Sequence, residues 1–529
     1  MPTDCVSYQD SGYFSKLIVD YLDENPKLKS LYNHLPKIEN FEKQITEKRA
    51  NYNGENRQIV VAELEKQYQN IDVSKATKQN ISLLKDQKTF TIATGHQLNL
   101  FAGPLYFLYK ICTTINLCKT LKIKYPENNF VPIFWMATED HDFEEVNYFN
   151  FNNKKIRWNA QVSGAVGRVS TTSLRAVFEV FEKVLGVSEN ANYLKSLFEK
   201  TYLQHSNLSE ATRFLVNELF KNEGLVILDA DVKSLKKQMI PYFKSELLQQ
   251  KSFQKVSETN SFLSEYEIQV NPREINLFYL TDASRERIIF EDSKYKINNT
   301  KITFSESEIL AELNENPERF SPNVILRPLY QEVILANLAY VGGGGELAYW
   351  LQLKSMFTAF EITFPMLFLR NSALLITEKQ VQKQDKLNLS NADLFLKQNE
   401  LVTKKTKELS DLKIDFLEQK LALKLQFEKL HVLASKTNKS FLGALKAQEK
   451  KQIDGLDNLE KRLLKAEKQN LSEKLERIVA LQNELFLNHS LQERTSNFSE
   501  FYEAFGDKVI EKILFQLKPF SNNFSIITN

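Results

Sequence analysis

Apolar positions along this chain change their spacing from one region to the next, and each spacing predicts a different element. Over residues 1–85 leucines and charged residues recur at helical intervals, broken by Pro26, Pro36 and Asn51-Tyr52-Asn53-Gly54-Glu55-Asn56, which predicts a helical lead-in packed on the core. Thr89 to Thr94 is a β-branched and aromatic strand that ends at Gly95, and a helical pattern then runs from Pro104 to Lys122. Phe130 to Ala137 is an apolar run of strand length that stops at charged residues from Glu139. Gly224 to Asp231 repeats that design before a helical stretch from Val232 to Leu248. Strands apolar on both faces fit a parallel sheet covered on two sides. The expected fold class is therefore α/β, a Rossmann-like parallel-sheet core in two parts, residues 86–252 and 311–373. Between them, residues 253–310 hold Asn271-Pro272-Arg273, Arg285-Glu286-Arg287 and the alternating Lys294 to Phe304, the pattern of a small β-rich insertion.

From Ala373 the texture changes. No proline stands between Pro365 and Pro519, and Leu409, Leu412, Phe416, Leu423, Leu430 and Leu433 keep an a/d rhythm, as do Leu456, Leu459, Leu463 and Ala466. Residues 374–486 are expected to form a long antiparallel α-helical coiled-coil hairpin that reverses between Ala434 and Gly443. Residues 487–529 regain aromatics and are expected to return to the core.

At 529 residues with 42% hydrophobic content, the chain is long enough for more than one core. Its 69 basic against 67 acidic side chains leave a formal charge of +2, which gives no global signal for nucleic acid or an anionic membrane. The first residues lack the cationic start and apolar run of a secretory signal, so a cytoplasmic location is expected. No run approaches the ~18 apolar residues of a membrane span. Three cysteines, Cys5, Cys112 and Cys118, fit reduced thiols rather than a disulfide framework. Cys112 and Cys118 lie about 240° apart around a helix, which argues against a metal pair.

Three segments could carry chemistry. In the turn from Thr94, Gly95, His96 and Gln97 through Asn99 to Gly103 and Pro104, glycines permit close backbone approach and the following helix start favours an anion such as phosphate. The segment fits neither the Walker nor the dinucleotide formula, and strand-turn-helix capping is the alternative. Glu139, Asp140, His141 and Asp142 close a buried strand, where carboxylates beside a histidine could hold Mg²⁺ or an ammonium, or place a general base near an amine. A solvated acidic helix start is the other reading. Gly342, Gly343, Gly344 and Gly345 lead to Glu346 and Tyr349 and follow Arg327, Tyr330 and Gln331. That run suits backbone approach to a ligand or a flexible loop, while Arg327, Lys354 and Arg370 could grip a carboxylate or phosphate. His34, His205, His431 and His489 receive no role.

Taken together, Thr94-Gly95-His96-Gln97 with Gly103-Pro104-Leu105-Tyr106, the Phe134 to Asp142 strand end, Asn271-Pro272-Arg273 and the Arg327 to Trp350 region resemble the bacillithiol biosynthesis cysteine-adding enzymes across nearly the whole chain. The sequence departs from that family at His96, where glutamine is frequent, and at Gly344, where proline is. The resemblance implies addition of L-cysteine to glucosaminyl-malate, a Rossmann-like core, and a homodimer formed through the coiled coil. It also implies ATP or another nucleotide as energy source, with Mg²⁺ or zinc left open; by fold-level analogy with class I aminoacyl-tRNA synthetases, phosphates are expected near Gly95 to Gln97 and Gly342 to Gly345. In this reading His141, paired with Asp140 or Asp142, takes a proton from the acceptor amine, with Glu139 and His96 as further catalytic candidates, and Arg327 or Lys354 holds the malyl carboxylates. The competing expectations are a non-catalytic nucleotide-binding coiled-coil dimer and a ligase for another amino-sugar thiol precursor.

Overall fold

The computed structural model describes residues 5–528, in two units: one built from the chain up to residue 375 together with 492–527, the other from residues 376–491. The first unit is organised by a five-stranded parallel sheet. Its strands are β1 (Thr89–His96), β2 (Asn129–Met136), β3 (Val226–Asp229), β4 (Asn337–Gly342) and β5 (Met366–Leu369), in the order β5-β4-β1-β2-β3. Strand order reverses about β1, because the chain leaves it first towards β2 and later returns to its other side as β4. A crevice outside the carboxyl ends of β1 and β4 results from that reversal.

The apolar runs form these strands because both sheet faces are covered. Phe90, Ile92, Val131, Ile133, Leu338 and Val341 are all buried, and helix α1 (Tyr106–Lys124), the crossover from β1 to β2, packs Leu117, Cys118 and Leu121 against Phe90, Ile92, Leu338 and Val341. Cys112 and Cys118 are both buried, and burial pushes both thiols upward, whereas Cys5 is exposed.

Two boundaries differ from the expectation. β1 runs on through Gly95 and His96, which pair with Trp135 and Met136 of β2, so the turn begins later than its glycine suggests. Phe101, Ala102 and Gly103 then take left-handed backbone angles (φ 49°, 65° and 56°), which delays α1 to Tyr106. A Cβ on Gly103 would stand 2.7 Å from Cβ of Asn99, so glycine is needed there for packing as well as for backbone angle.

The segment expected to be a β-rich insertion opens on a helix, Lys251–Phe262, before its antiparallel sheet. That sheet orders Thr303–Phe304, Lys294–Ile297, Arg285–Glu291, Leu277–Leu280 and Phe320–Pro322, its last strand coming from beyond residue 310. Helices α2 (Leu326–Ile334) and α3 (Gly344–Leu351) flank β4.

The second unit is helical. Gln398–Leu409 is followed by an irregular stretch, then by α4 (Leu417–Ala434) and α5 (Lys439–Asn470), which run antiparallel with the reversal between Ala434 and Lys439. Lys420 pairs with Glu460 at 2.7 Å and His431 with Glu449 at 2.8 Å, so partners fall on one helix as they climb on the other. The seam follows the expected a/d set only in part, at Leu423. Phe427, Ala434 and Leu445 are buried with Leu423 and Leu442 against them, while Leu412, Leu430, Leu433 and Leu459 are exposed. Residues 410–416 break the helix before α4, so the heptad phase read from Leu409 is lost there.

Candidate active site

Two adjoining cavities in the first unit occupy the crevice, and Trp135, Ala137, Val324 and Arg327 line both. The first, about 330 Å³, lies at the β1–β4 switch between Gly95, His96, Gln97, Tyr106, Lys110, Tyr340, Glu346 and Tyr349. Lys110, buried on α1, donates to both carboxylate oxygens of Glu346 at 2.8 Å and to the Gly95 carbonyl. Glu346 also accepts from the Tyr340 hydroxyl at 2.7 Å and the Gly343 N–H at 2.8 Å. One lysine–carboxylate pair thus ties the end of β1 to the start of α3. Burial alone would raise the Glu346 carboxyl, but Lys110 and these donors bring it down to about 2. Burial, reinforced by the Lys110 charge, lowers His96 to about 3, and its ring stacks on Tyr106. Burial therefore favours the neutral form of the His96 ring, which lines the first cavity.

The second cavity, about 450 Å³, lies between the end of β2 and the antiparallel sheet. Glu139, Asp140 and His141 line it together with Arg273, Arg285, Arg287 and Arg327. Glu139 is spent on Lys236, which is itself buried and also bonded to Asp231 at 3.2 Å; burial raises the Glu139 carboxyl despite Lys236. Asp140 Oδ2 accepts from Gln97 Nε2 at 2.7 Å, and its Oδ1 accepts from the His141 backbone N–H at 2.7 Å. Asp142 caps the short helix Phe143–Val146 through the Glu145 N–H, which is the helix-start reading of this cluster.

Other expected site residues serve the frame. Thr94 donates to the Val341 carbonyl at 2.7 Å, and Asn99 reaches the Glu145 carbonyl at 3.2 Å. Tyr330 is fully buried and donates to the Ala230 carbonyl, and Gln331 accepts from Arg327 at 3.2 Å. Arg370 is paired with Glu493 at 2.7 Å in the interior. Lys354 bonds to Thr358 at 3.1 Å and lines neither cavity. The glycine quartet does not face the crevice. A Cβ on Gly342 would meet Leu347 at 2.9 Å and one on Gly344 would meet Phe14 at 3.4 Å, so these glycines let α3 start close against its neighbours.

Four cations of the crevice escaped the sequence reading. Lys110 is the one charged residue between Tyr106 and Leu117, an anomaly that marks a paired interior lysine. Arg285 and Arg287 alternate on one strand and so share a face, and Arg273 closes the Asn271-Pro272-Arg273 turn. Among the described residues Arg273 and Arg287 have no carboxylate partner, while Arg287 Nε and Arg327 Nη2 are buried without an acceptor.

Comparison with known proteins places this architecture. Residues 1–371 match the model of the N-terminal Rossmann-like domain of bacillithiol biosynthesis BshC, and residues 373–529 match that of its C-terminal coiled-coil domain. Proteins named "Putative cysteine ligase BshC" from Flavobacterium psychrophilum, Flavobacterium johnsoniae and Christiangramia forsetii are 64%, 62% and 56% identical, covering 100% of this chain and 99%, 100% and 99% of their own lengths. With both units matched end to end, the chain belongs to the bacillithiol biosynthesis BshC family.

Proposed function

We propose that the chain is a ligase that joins the carboxyl of L-cysteine to the amine of glucosaminyl-malate, giving bacillithiol. The observation that carries this reading is the arginine-lined cavity. Arg273, Arg287 and Arg327 line one space, and Arg287 Nε and Arg327 Nη2 have no acceptor in it; paired carboxylates such as those of a malyl group match such forks. Those arginines replace Lys354 as the proposed grip. An acceptor anchored there extends along the same cavity, past Asp140 and His141, towards the first lobe.

Joining a carboxylate to an amine needs an activated carboxyl, and ATP is the proposed source; when bound, it supplies the leaving group on the cysteine carboxyl. The first lobe suits it in part, since the rings of His96, Tyr106, Trp135 and Tyr349 offer flat walls to a purine. Gly95 leaves space between the Tyr340 hydroxyl and Arg327 Nη1, each within 3.7 Å of where its Cβ would stand. Phosphates are assigned to Gly95, Gln97 and Arg327 rather than to the glycine quartet. A resident divalent ion fits poorly, because Glu139 and Asp140 are already engaged.

The reading includes a homodimer formed through the coiled coil. Leu417, Leu421, Leu425 and Val432 of α4 are each more than half exposed and fall within about 80° around the helix axis, away from the Leu423–Phe427–Ala434 seam. A second apolar stripe of this kind suits pairing with another copy.

The test is a mass-spectrometric assay of the purified protein with glucosaminyl-malate, L-cysteine, ATP and Mg²⁺. Bacillithiol with AMP supports a cysteinyl adenylate, and bacillithiol with ADP an acyl phosphate. Nucleotide binding without product overturns the ligase reading in favour of a non-catalytic nucleotide-binding dimer. Product with only a different amino-sugar acceptor moves the substrate assignment.

A further inference from the structure

Arg285 opens the strand Arg285–Glu291 and turns its side chain to the crevice, while Glu286 points to the other face and meets Asn299 at 3.1 Å. The Arg285 guanidinium lies over the Phe278 ring at 4.1 Å. Its Nε donates to Ser321 Oγ at 3.0 Å and its Nη2 to the Pro322 carbonyl at 3.0 Å. Its Nη1 stands 3.0 Å from Nδ1 of His141. A guanidinium carries donors and no acceptor, so Nδ1 of His141 must supply the lone pair. The neutral imidazole then carries its hydrogen on Nε2.

A histidine that works as a base needs its free lone pair towards the substrate and an acceptor behind the other nitrogen. Here the arrangement is inverted. Asp140, the partner that would stand behind a base, lies 3.7 Å from the nitrogen already held by Arg285. Its oxygens are taken by Gln97 and by backbone N–H groups.

We infer that His141 acts on the substrate as a hydrogen-bond donor through Nε2–H, and that Arg285 is the positioning residue that fixes this tautomer. The inference rests on the ligase reading of the cleft, and it replaces the expectation that His141 accepts the amine proton. The group it recognises is an oxygen: a carboxylate of the acceptor, or the acyl oxygen on which negative charge grows as the amide forms.

The experiment is long-range ¹⁵N–¹H correlation NMR on the intact chain labelled at its six histidines, recorded where the ring is neutral, with His141 assigned by its loss in His141→Gln. The expected spectrum shows a bare Nδ1 and a protonated Nε2; a protonated Nδ1 overturns the proposal. In Arg285→Met the two tautomers are expected to mix, and an unchanged spectrum from a folded variant removes the positioning role. Glutamine keeps an N–H near the position of Nε2 but has no basic nitrogen. His141→Gln is therefore expected to hold kcat/KM within about tenfold of the parent, the scale of one distorted hydrogen bond. A loss of about a hundredfold or more in folded His141→Gln, matching His141→Ala, would restore the base. The NMR needs no substrate, so it stands apart from any failure of the ligase assay.

Discussion

Buried Lys110 and half-buried Glu346 tie the end of β1 to the start of α3, and removing one partner leaves the other's charge without its counterion in a poorly solvated place. Lys110→Met is expected to destabilise the first unit by about 3–5 kcal/mol, whereas Lys110→Met combined with Glu346→Gln recovers much of that loss, because the orphaned carboxylate is then gone. Urea unfolding of the single and double variants checks it. His96 adds a pH dependence whose sign is fixed by its direction. The unfolded imidazole binds a proton near 6.5, and the folded one only near 3. Between those values the unfolded chain holds the extra proton, so the contribution is complete above pH 6.5 and declines as pH falls towards 3. His96→Gln should flatten the slope of stability between pH 6.5 and 5, by up to about 1.4 kcal/mol per pH unit. Urea midpoints measured at those two pH values test this. Neither residue disclosed its role in the sequence: the Lys110 partner lies 236 positions away, and the depressed affinity of His96 comes from burial that spacing does not reveal.

At the scale of elements, periodicity carried furthest where both faces of a strand or a whole helix share one environment. The apolar runs that became β1, β2 and β3 needed no partner to be read, and the hairpin reversal lies inside the span that Ser435, Thr437 and Asn438 had marked. The seam was read only in part because α4 carries two apolar stripes and the irregular stretch at 410–416 resets the phase between them. The stripes separate by experiment. Phe427→Ala, in the seam, is expected to cost the second unit about 3–5 kcal/mol. Leu421→Ser with Leu425→Ser is expected to leave its melting almost unchanged and to shift the protein to monomer in sedimentation velocity. A dimer that survives both serines would remove that stripe from the interface.

Over the whole molecule the crevice is assembled from segments far apart in the chain. Parallel topology brings the ends of β1 and β4 together, and the antiparallel sheet lends Arg285 and Arg287 to a cavity whose opposite wall is the end of β2. Local motifs exposed the Glu139–Asp142 wall and the Gly95 turn, but not the arginines, because the register that aims them is set by tertiary pairing. Arg287→Ala is expected to raise KM for the acceptor by about ten- to a hundredfold with a smaller change in kcat, as the loss of one charge-assisted fork would do; steady-state kinetics with acceptor varied would show it. The placing of the thiols has a bearing of its own on a protein proposed to handle free cysteine. Disulfide exchange requires an accessible thiolate, and Cys112 and Cys118 offer neither access nor ionisation. The core is thereby closed to mixed disulfides with substrate or product, and such an adduct is left to the exposed Cys5, which lines neither cavity.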